Sequence, residues 1–217
     1  MSISIKKSLI SRLFVFSTIV WVFFSCKPNN FQGVLINKDQ QHIIIPFFSK
    51  TNYEYHYSVK MIAFSNTLNG VLVVKQLSKD HKRVVMLSDF GNTLFDFEFK
   101  NGKATTIYVM EDLNKKIILN KLLRYFEFLT KSDYLTRSSF HVDRDTVYIS
   151  KFKNKRVHIV FQNALPTQLE LYSRNKSKAE VIFYAQDNFA DSISFKSNEL
   201  PIQMFFKKRE KNINVGQ

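Results

Sequence analysis

A single cysteine, Cys26, is all the thiol this 217-residue chain carries, so no disulfide can close within it and any fold is held by its core alone. Histidines are few and scattered. His42, His56, His81, His141 and His158 lack the short paired spacings of a metal site, and His141-Val142-Asp143 reads more simply as a strand end or solvated loop than as a ligand pair. Among the five glycines there is no Gly-rich phosphate loop and no G-x-S-x-G elbow. Acidic residues number 18 against 32 Lys and Arg and are too dispersed to nominate a catalytic pair. Asp96 and Glu98 share a strand face, but they alternate with phenylalanines and read as that strand's wet side. Together these gaps point away from an enzyme and imply neither a metal nor a cofactor.

What the chain does have begins at its start. Lys6, Lys7 and Arg12 precede an apolar run from Leu13 to Phe24, followed by the small Ser25 and then Cys26. That order is the build of a secretory signal. A membrane span needs about 20 apolar residues, and extending the run back through Leu9 and Ile10 would bury Arg12 at a cost of a few kcal/mol. The expectation is a cleaved signal over 1–25, a short polar tether over 26–30 containing Pro28, and one domain over 31–217. Removing 25 of 217 residues leaves 192, ample for a single core.

The tetrapeptide Phe23-Phe24-Ser25-Cys26 resembles the lipobox of bacterial lipoproteins. That resemblance implies lipidation of Cys26, which becomes the first residue of the mature protein and tethers it to a membrane. Lys27 stands where an aspartate is associated with inner-membrane retention in enteric bacteria, which favours the outer membrane. The net charge of +14 falls to +11 on loss of Lys6, Lys7 and Arg12. Such a balance suits nucleic acid or an anionic membrane surface. Export argues against nucleic acid, and apart from 151–156 and 206–209 the bases are spread out rather than gathered into a recognition stripe. A composition rich in Phe, Ile, Lys and Asn offers a second origin for the excess, a biased genome.

Beyond the tether, β-branched and aromatic residues predict strands at 33–36, 42–47, 55–63, 70–76, 83–88 and 94–99, separated by turn signals such as Ser65-Asn66 and Phe90-Gly91-Asn92. Phe95, Phe97 and Phe99 alternate with Asp96, Glu98 and Lys100, so one face is aromatic and the other charged. Asn101-Gly102 tolerates positive φ at both positions and predicts a hairpin into 104–109. Over 111–131 the period changes. Leu113, Ile117, Leu122, Phe126 and Leu129, flanked by Ile118 and Leu123, form one helical stripe, with Asp112 placed to cap its start. Strand patterns resume at 146–149, 156–161, 168–173, 179–184, 192–195 and 202–206. About eleven strands and one helix predict a mainly β fold, a closed or half-closed antiparallel barrel with the helix as a lid over its mouth, since closure covers both the apolar face and the edges.

The segment 84–97, Val-Val-Met-Leu-Ser-Asp-Phe-Gly-Asn-Thr-Leu-Phe-Asp-Phe, resembles the strand, loop and strand of the LolB family of outer-membrane lipoprotein receptors. The helix near 112–131 and the strand pair around 165–171 follow in that family's order, and Asp89 stands in place of the family's proline. The resemblance implies a half-open barrel with an apolar cavity that receives lipidated proteins from a LolA-like periplasmic carrier and releases them into the outer membrane. A monomer without a cofactor is expected. It implies a membrane-insertion loop at Phe90 and Gly91, and acyl-cavity lining from Phe95, Phe97, Phe99, Leu122 and Phe126. Two readings stay open from the residues themselves: Phe90 can fold back over the barrel, and the lining candidates can be ordinary core packing, because alternation does not tell a filled barrel from a hollow one. A scaffolding lipoprotein and a binder of another hydrophobic ligand are the alternative functions.

Overall fold

The computed structural model describes residues 33–209; Cys26, with the expected signal and tether, lies outside them. Fourteen strands run β1 Val34–Asn37, β2 Gln41–Ile44, β3 Tyr53–Ala63, β4 Asn66–Ser78, β5 His81–Ser88, β6 Thr93–Lys100, β7 Lys103–Val109, β8 Asp133–Val142, β9 Asp145–Phe152, β10 Lys155–Gln162, β11 Leu165–Ser173, β12 Lys176–Ala185, β13 Ala190–Ser197 and β14 Ile202–Lys208. One helix, α1 Lys116–Thr130, separates β7 from β8. All strands join one antiparallel sheet in the order β1-β8-β9-β10-β11-β12-β13-β14-β3-β4-β5-β6-β7, with β2 pairing β8 beside β1. Neither β7 nor β1 pairs with the other, so the sheet curls without closing. The half-open antiparallel architecture with a helix against it is as expected; the strand count is higher.

Strict alternation explains why the sheet has an inside. On β3, Tyr55, Tyr57, Val59 and Met61 are buried while Ser58 and Lys60 are exposed, the period-2 pattern of a strand with one dry face. The strand without such a signal is β8, where Asp133, Thr136, Arg137, Ser138 and Ser139 break the apolar rhythm. Its partners explain its pairing. β1 and β2 lie end to end along one edge and β9 along the other, and Thr136 and Ser150 use their hydroxyls on the Gln41 and Leu135 carbonyls.

The hairpin at Asn101-Gly102 forms as expected, with φ of 51° and 75°. Phe64 and Ser65 turn the same way without glycine, at 49° and 71°, which places an aromatic ring at the β3–β4 tip. Gly70, inside β4, is required for a different reason. A Cβ there would sit 1.9 Å from the Leu87 carbonyl oxygen, beside the irregularity where β5 meets β6. Gly70→Ala is expected to lower the unfolding free energy by about 1–3 kcal/mol through forced backbone shifts, measurable as a lower urea midpoint; an unchanged midpoint would show that the two strands part freely.

The helical segment differs from expectation at its start. Glu111–Leu113 is a separate 3-10 turn, and α1 begins only at Lys116, with Lys115 at the N-cap position making no side-chain cap. Asp112 therefore does not cap α1: the helical ladder opens with Leu119 N–H donating to the Lys115 carbonyl, too late in sequence for Asp112. Ile117, placed on the apolar stripe, is 72% exposed. Burial is concentrated further on, at Leu122, Tyr125, Phe126, Phe128 and Leu129. The C-terminal half of α1 is thus core and the N-terminal half lies at an opening.

Inside the curl, aromatic rings fill the space. Phe95 and Phe97 stack at 4.4 Å, and Phe126 tilts onto Phe95 at 4.7 Å. Tyr125 meets Phe195 of β13 at 5.0 Å, and Phe128 meets Phe152 of β9 at 5.5 Å. The helix is therefore gripped from both arms of the sheet, each contact of the kind that contributes about 0.5–1.5 kcal/mol beyond area burial.

Candidate functional site

The topology brings the β3–β4 and β5–β6 turns to one end of the sheet, and the chain leaves β7 at that same end, where Met110 N–H donates to the Leu94 carbonyl. The weakly buried half of α1 starts there. Between these parts lies a cavity of about 740 Å³. Met61, Phe64 and Leu68 supply its wall from the β3–β4 hairpin, and Leu113, Ile118 and Leu122 supply it from the helical side. Asn66, Thr67, Asp112 and Lys115 stand among its polar lining residues. An apolar recess of this size with a few polar groups matches the general form of a small-molecule site, about 300–1,000 Å³. A groove of about 710 Å³ on the outer face of β3, β4 and β14 carries Lys60, Lys207, Arg209, Asp89 and Asp191 instead, and its charges suit it poorly to an apolar guest.

Of the residues expected to line an acyl cavity, Leu122 does stand on the wall. Phe95, Phe97 and Phe126 form the packed cluster behind it, each fully buried, and none is among the wall residues. Phe99 lies at the opposite end of β6, cross-strand from Lys82, where it borders a separate cavity of about 140 Å³ with Gln76, Asp80 and Lys131. Phe90 is 92% exposed at the β5–β6 tip, so it does not fold back over the sheet. Gly91 follows with φ of +82° and open space where a Cβ would stand. Cys26 lies outside the described residues.

Sequence reasoning passed over Met61, Leu68 and above all Phe64. A large apolar residue immediately before the Ser65-Asn66 turn signal was the clue available, since turn positions otherwise favour small polar residues.

Titratable groups around the sheet serve structure. Arg83 Nε donates to Asp96 Oδ1 at 2.8 Å, which explains how Asp96 is buried on a face expected to be wet. His81 pairs with Glu98 at 2.8 Å. Burial, with Arg156 beside it, pushes the His158 imidazole down to about 4, and its ring lies 4.6 Å from that of Tyr172. Among the described residues no three His, Cys, Asp or Glu side chains converge as a metal site, and no helix is long and apolar enough to cross a membrane.

Compared with known proteins, the chain matches no family model and no curated sequence. Solved structures similar to it include a LolA superfamily protein from Nitrosomonas europaea, with 8% identity and a TM-score of 0.49 over 76% of this chain and 86% of that one. A DUF1329 family protein from Desulfovibrio piger aligns with 11% identity and a TM-score of 0.42 over 78% and 89% of the two chains. A putative outer membrane lipoprotein-sorting protein domain from Vibrio parahaemolyticus aligns with 9% identity and a TM-score of 0.42 over 75% and 86%.

Proposed function

We propose that this protein is an envelope lipoprotein, anchored to the outer membrane through Cys26, that takes up acyl chains of lipidated proteins and helps insert them into the membrane. The observation that carries the reading is the apolar cavity of about 740 Å³ at the open end of the sheet. Each acyl methylene kept from water is worth about 0.8 kcal/mol, so a lipidated protein crossing an aqueous space needs such a host. Neither nucleotide nor catalyst is required, provided the cavity holds the chain more tightly than a LolA-like carrier and less tightly than the bilayer. The exposed rings at this end fit the last step: Phe64 is 44% and Phe90 92% exposed, and amphipathic or apolar tips partition into the interfacial region of a bilayer.

Two outcomes test the reading. Ile118→Glu is expected to abolish capture of an acylated protein from a carrier, because it sets a charge in the wall while the packed half of α1 is untouched; capture at the wild-type level would remove this cavity from the mechanism. Phe90→Glu is expected to leave capture and folding intact and to slow delivery into vesicles. Undiminished delivery would take Phe90 out of the insertion step.

A scaffolding role is the second reading, favoured by the ring-filled centre of the sheet. A wild-type chain that captures no acylated protein at all would select it.

A further inference from the structure

On the other flank of α1, about one helical turn (~5.4 Å) from the acyl cavity's wall residue Ile118, a smaller hollow of about 190 Å³ opens between the helix, the β9–β10 turn and the β13–β14 loop. Tyr125, Phe152 and Leu171 give it an apolar floor. Around them stand four cations, Lys121, Arg124, Lys153 and Lys155, with Glu199 the one carboxylate in the lining.

The charges do not balance. Glu199 is shared by Lys121 at 2.5 Å, Lys155 at 3.5 Å and Lys178 at 3.5 Å, while Lys153 is neutralised separately by Glu127. The Arg124 side chain has neither a hydrogen bond nor an ion pair among the described residues. Three lysines on one carboxylate, with a free guanidinium beside them, leave a positive surplus inside a partly dry recess. Its effect shows on Lys155: burial first, with Lys121 and Arg124 adding to it, outweighs Glu199 and holds that ammonium below its usual range.

We propose that this hollow binds the phosphate of an anionic lipid. Arg124 offers a planar fork suited to two phosphate oxygens, Lys121 and Lys155 add compact charges, and the carbons next to the phosphate rest on Tyr125 and Phe152. A free phosphate would leave that apolar floor unused. The anion site stands on its own charges; only the notion that headgroup and acyl chain belong to one amphiphile rests on the acyl-binding reading above.

Calorimetric titration of the full chain with dihexanoyl phosphatidylglycerol, dihexanoyl phosphatidylcholine and inorganic phosphate tests it. The phosphatidylglycerol is expected to bind about tenfold tighter than either of the others, one charge-assisted contact being worth roughly that ratio, and to weaken with added salt. Arg124→Gln, at an exposed position, should keep the circular dichroism of the wild type and lower that affinity about tenfold. Glu199→Gln should raise it, because the competing carboxylate is gone; a merely structural Glu199 would not produce a gain.

Absence of binding, equal binding of the two lipids, or an unaffected Arg124→Gln would each overturn the site. Inorganic phosphate binding as tightly as the phosphatidylglycerol would overturn its assignment to lipid. Preserved discrimination between the lipids in a chain that captures no acylated protein would overturn the acyl reading alone and leave this site standing.

Discussion

Phe126→Ala is expected to lower the unfolding free energy by about 3–5 kcal/mol, the usual cost of removing a buried aromatic ring that its surroundings cannot replace. Phe126 has no exposed surface, lies 4.7 Å from Phe95 and 6.2 Å from Phe97, and sits on the half of α1 gripped by both arms of the sheet. Thr130 Oγ1 also donates to the Phe126 carbonyl at 2.7 Å, so the turn around this residue cannot slide to fill a void. The result bears on function as much as on stability. A ring facing a hollow interior would leave little behind when removed, and the variant would unfold at nearly the wild-type urea concentration. A ring packed in a stack leaves a cavity walled by Phe95 and Phe97. A loss below about 1 kcal/mol would therefore mean that the centre of the sheet is available to ligand, and that the proposed acyl host is larger than the recess at its mouth. The expected loss would confine the proposed acyl guest to that recess.

The sequence made the architecture readable wherever a strand has one dry and one wet face. Phe95, Phe97 and Phe99 against Asp96, Glu98 and Lys100, or Tyr55 through Met61 on β3, announce both strand and inner face. β8 stayed hidden because Thr136, whose hydroxyl donates to the Gln41 carbonyl, and Ser139 take buried positions that apolar side chains hold elsewhere, and residue-type patterns register hydrophobicity rather than buried polarity. The site was legible only in part for a related reason. Periodicity tells which residues face inward, yet not how far along the strand the interior is filled. Phe95 and Phe97 share a face with Phe99, but the first two are stacked at the centre while Phe99 borders a polar cavity at the far end. The recess itself depends on Phe64, Leu68 and Ile118 meeting from a hairpin and a helix separated by about fifty residues, a juxtaposition set by the curl of the whole sheet.

At that far end, the stability of the wild-type chain relative to Lys82→Met is expected to rise with pH above about 7. Lys82 points inward from β5 between Gln76 of β4 and Phe99 of β6, is 8% exposed, and donates to the Thr130 carbonyl at the end of α1. A helix C-terminus favours a cation, but burial, reinforced by the nearby Lys131 ammonium, opposes it and brings the Lys82 pKa down to about 7 from 10.5. In the unfolded chain the side chain holds its proton up to the ordinary lysine range. Between those limits the unfolded state binds the extra proton, so raising the pH favours the folded state, by at most about 1.4 kcal/mol per pH unit. Below about 7 both states are protonated and the wild type bears the whole penalty of a buried ammonium, which methionine avoids. Tyrosines such as Tyr134, raised far above their usual range by burial, act in the opposite direction at high pH, but they are common to both proteins and cancel in the comparison. Urea unfolding of the two chains from pH 6 to pH 10 measures the difference directly. A difference that stays flat would mean that Lys82 keeps its charge throughout, and that the Thr130 carbonyl and the helix terminus together outweigh its burial. A difference that narrows above pH 7 makes the far end of the sheet looser in acid than in base, with the packed half of α1 held by an amine whose charge works against it.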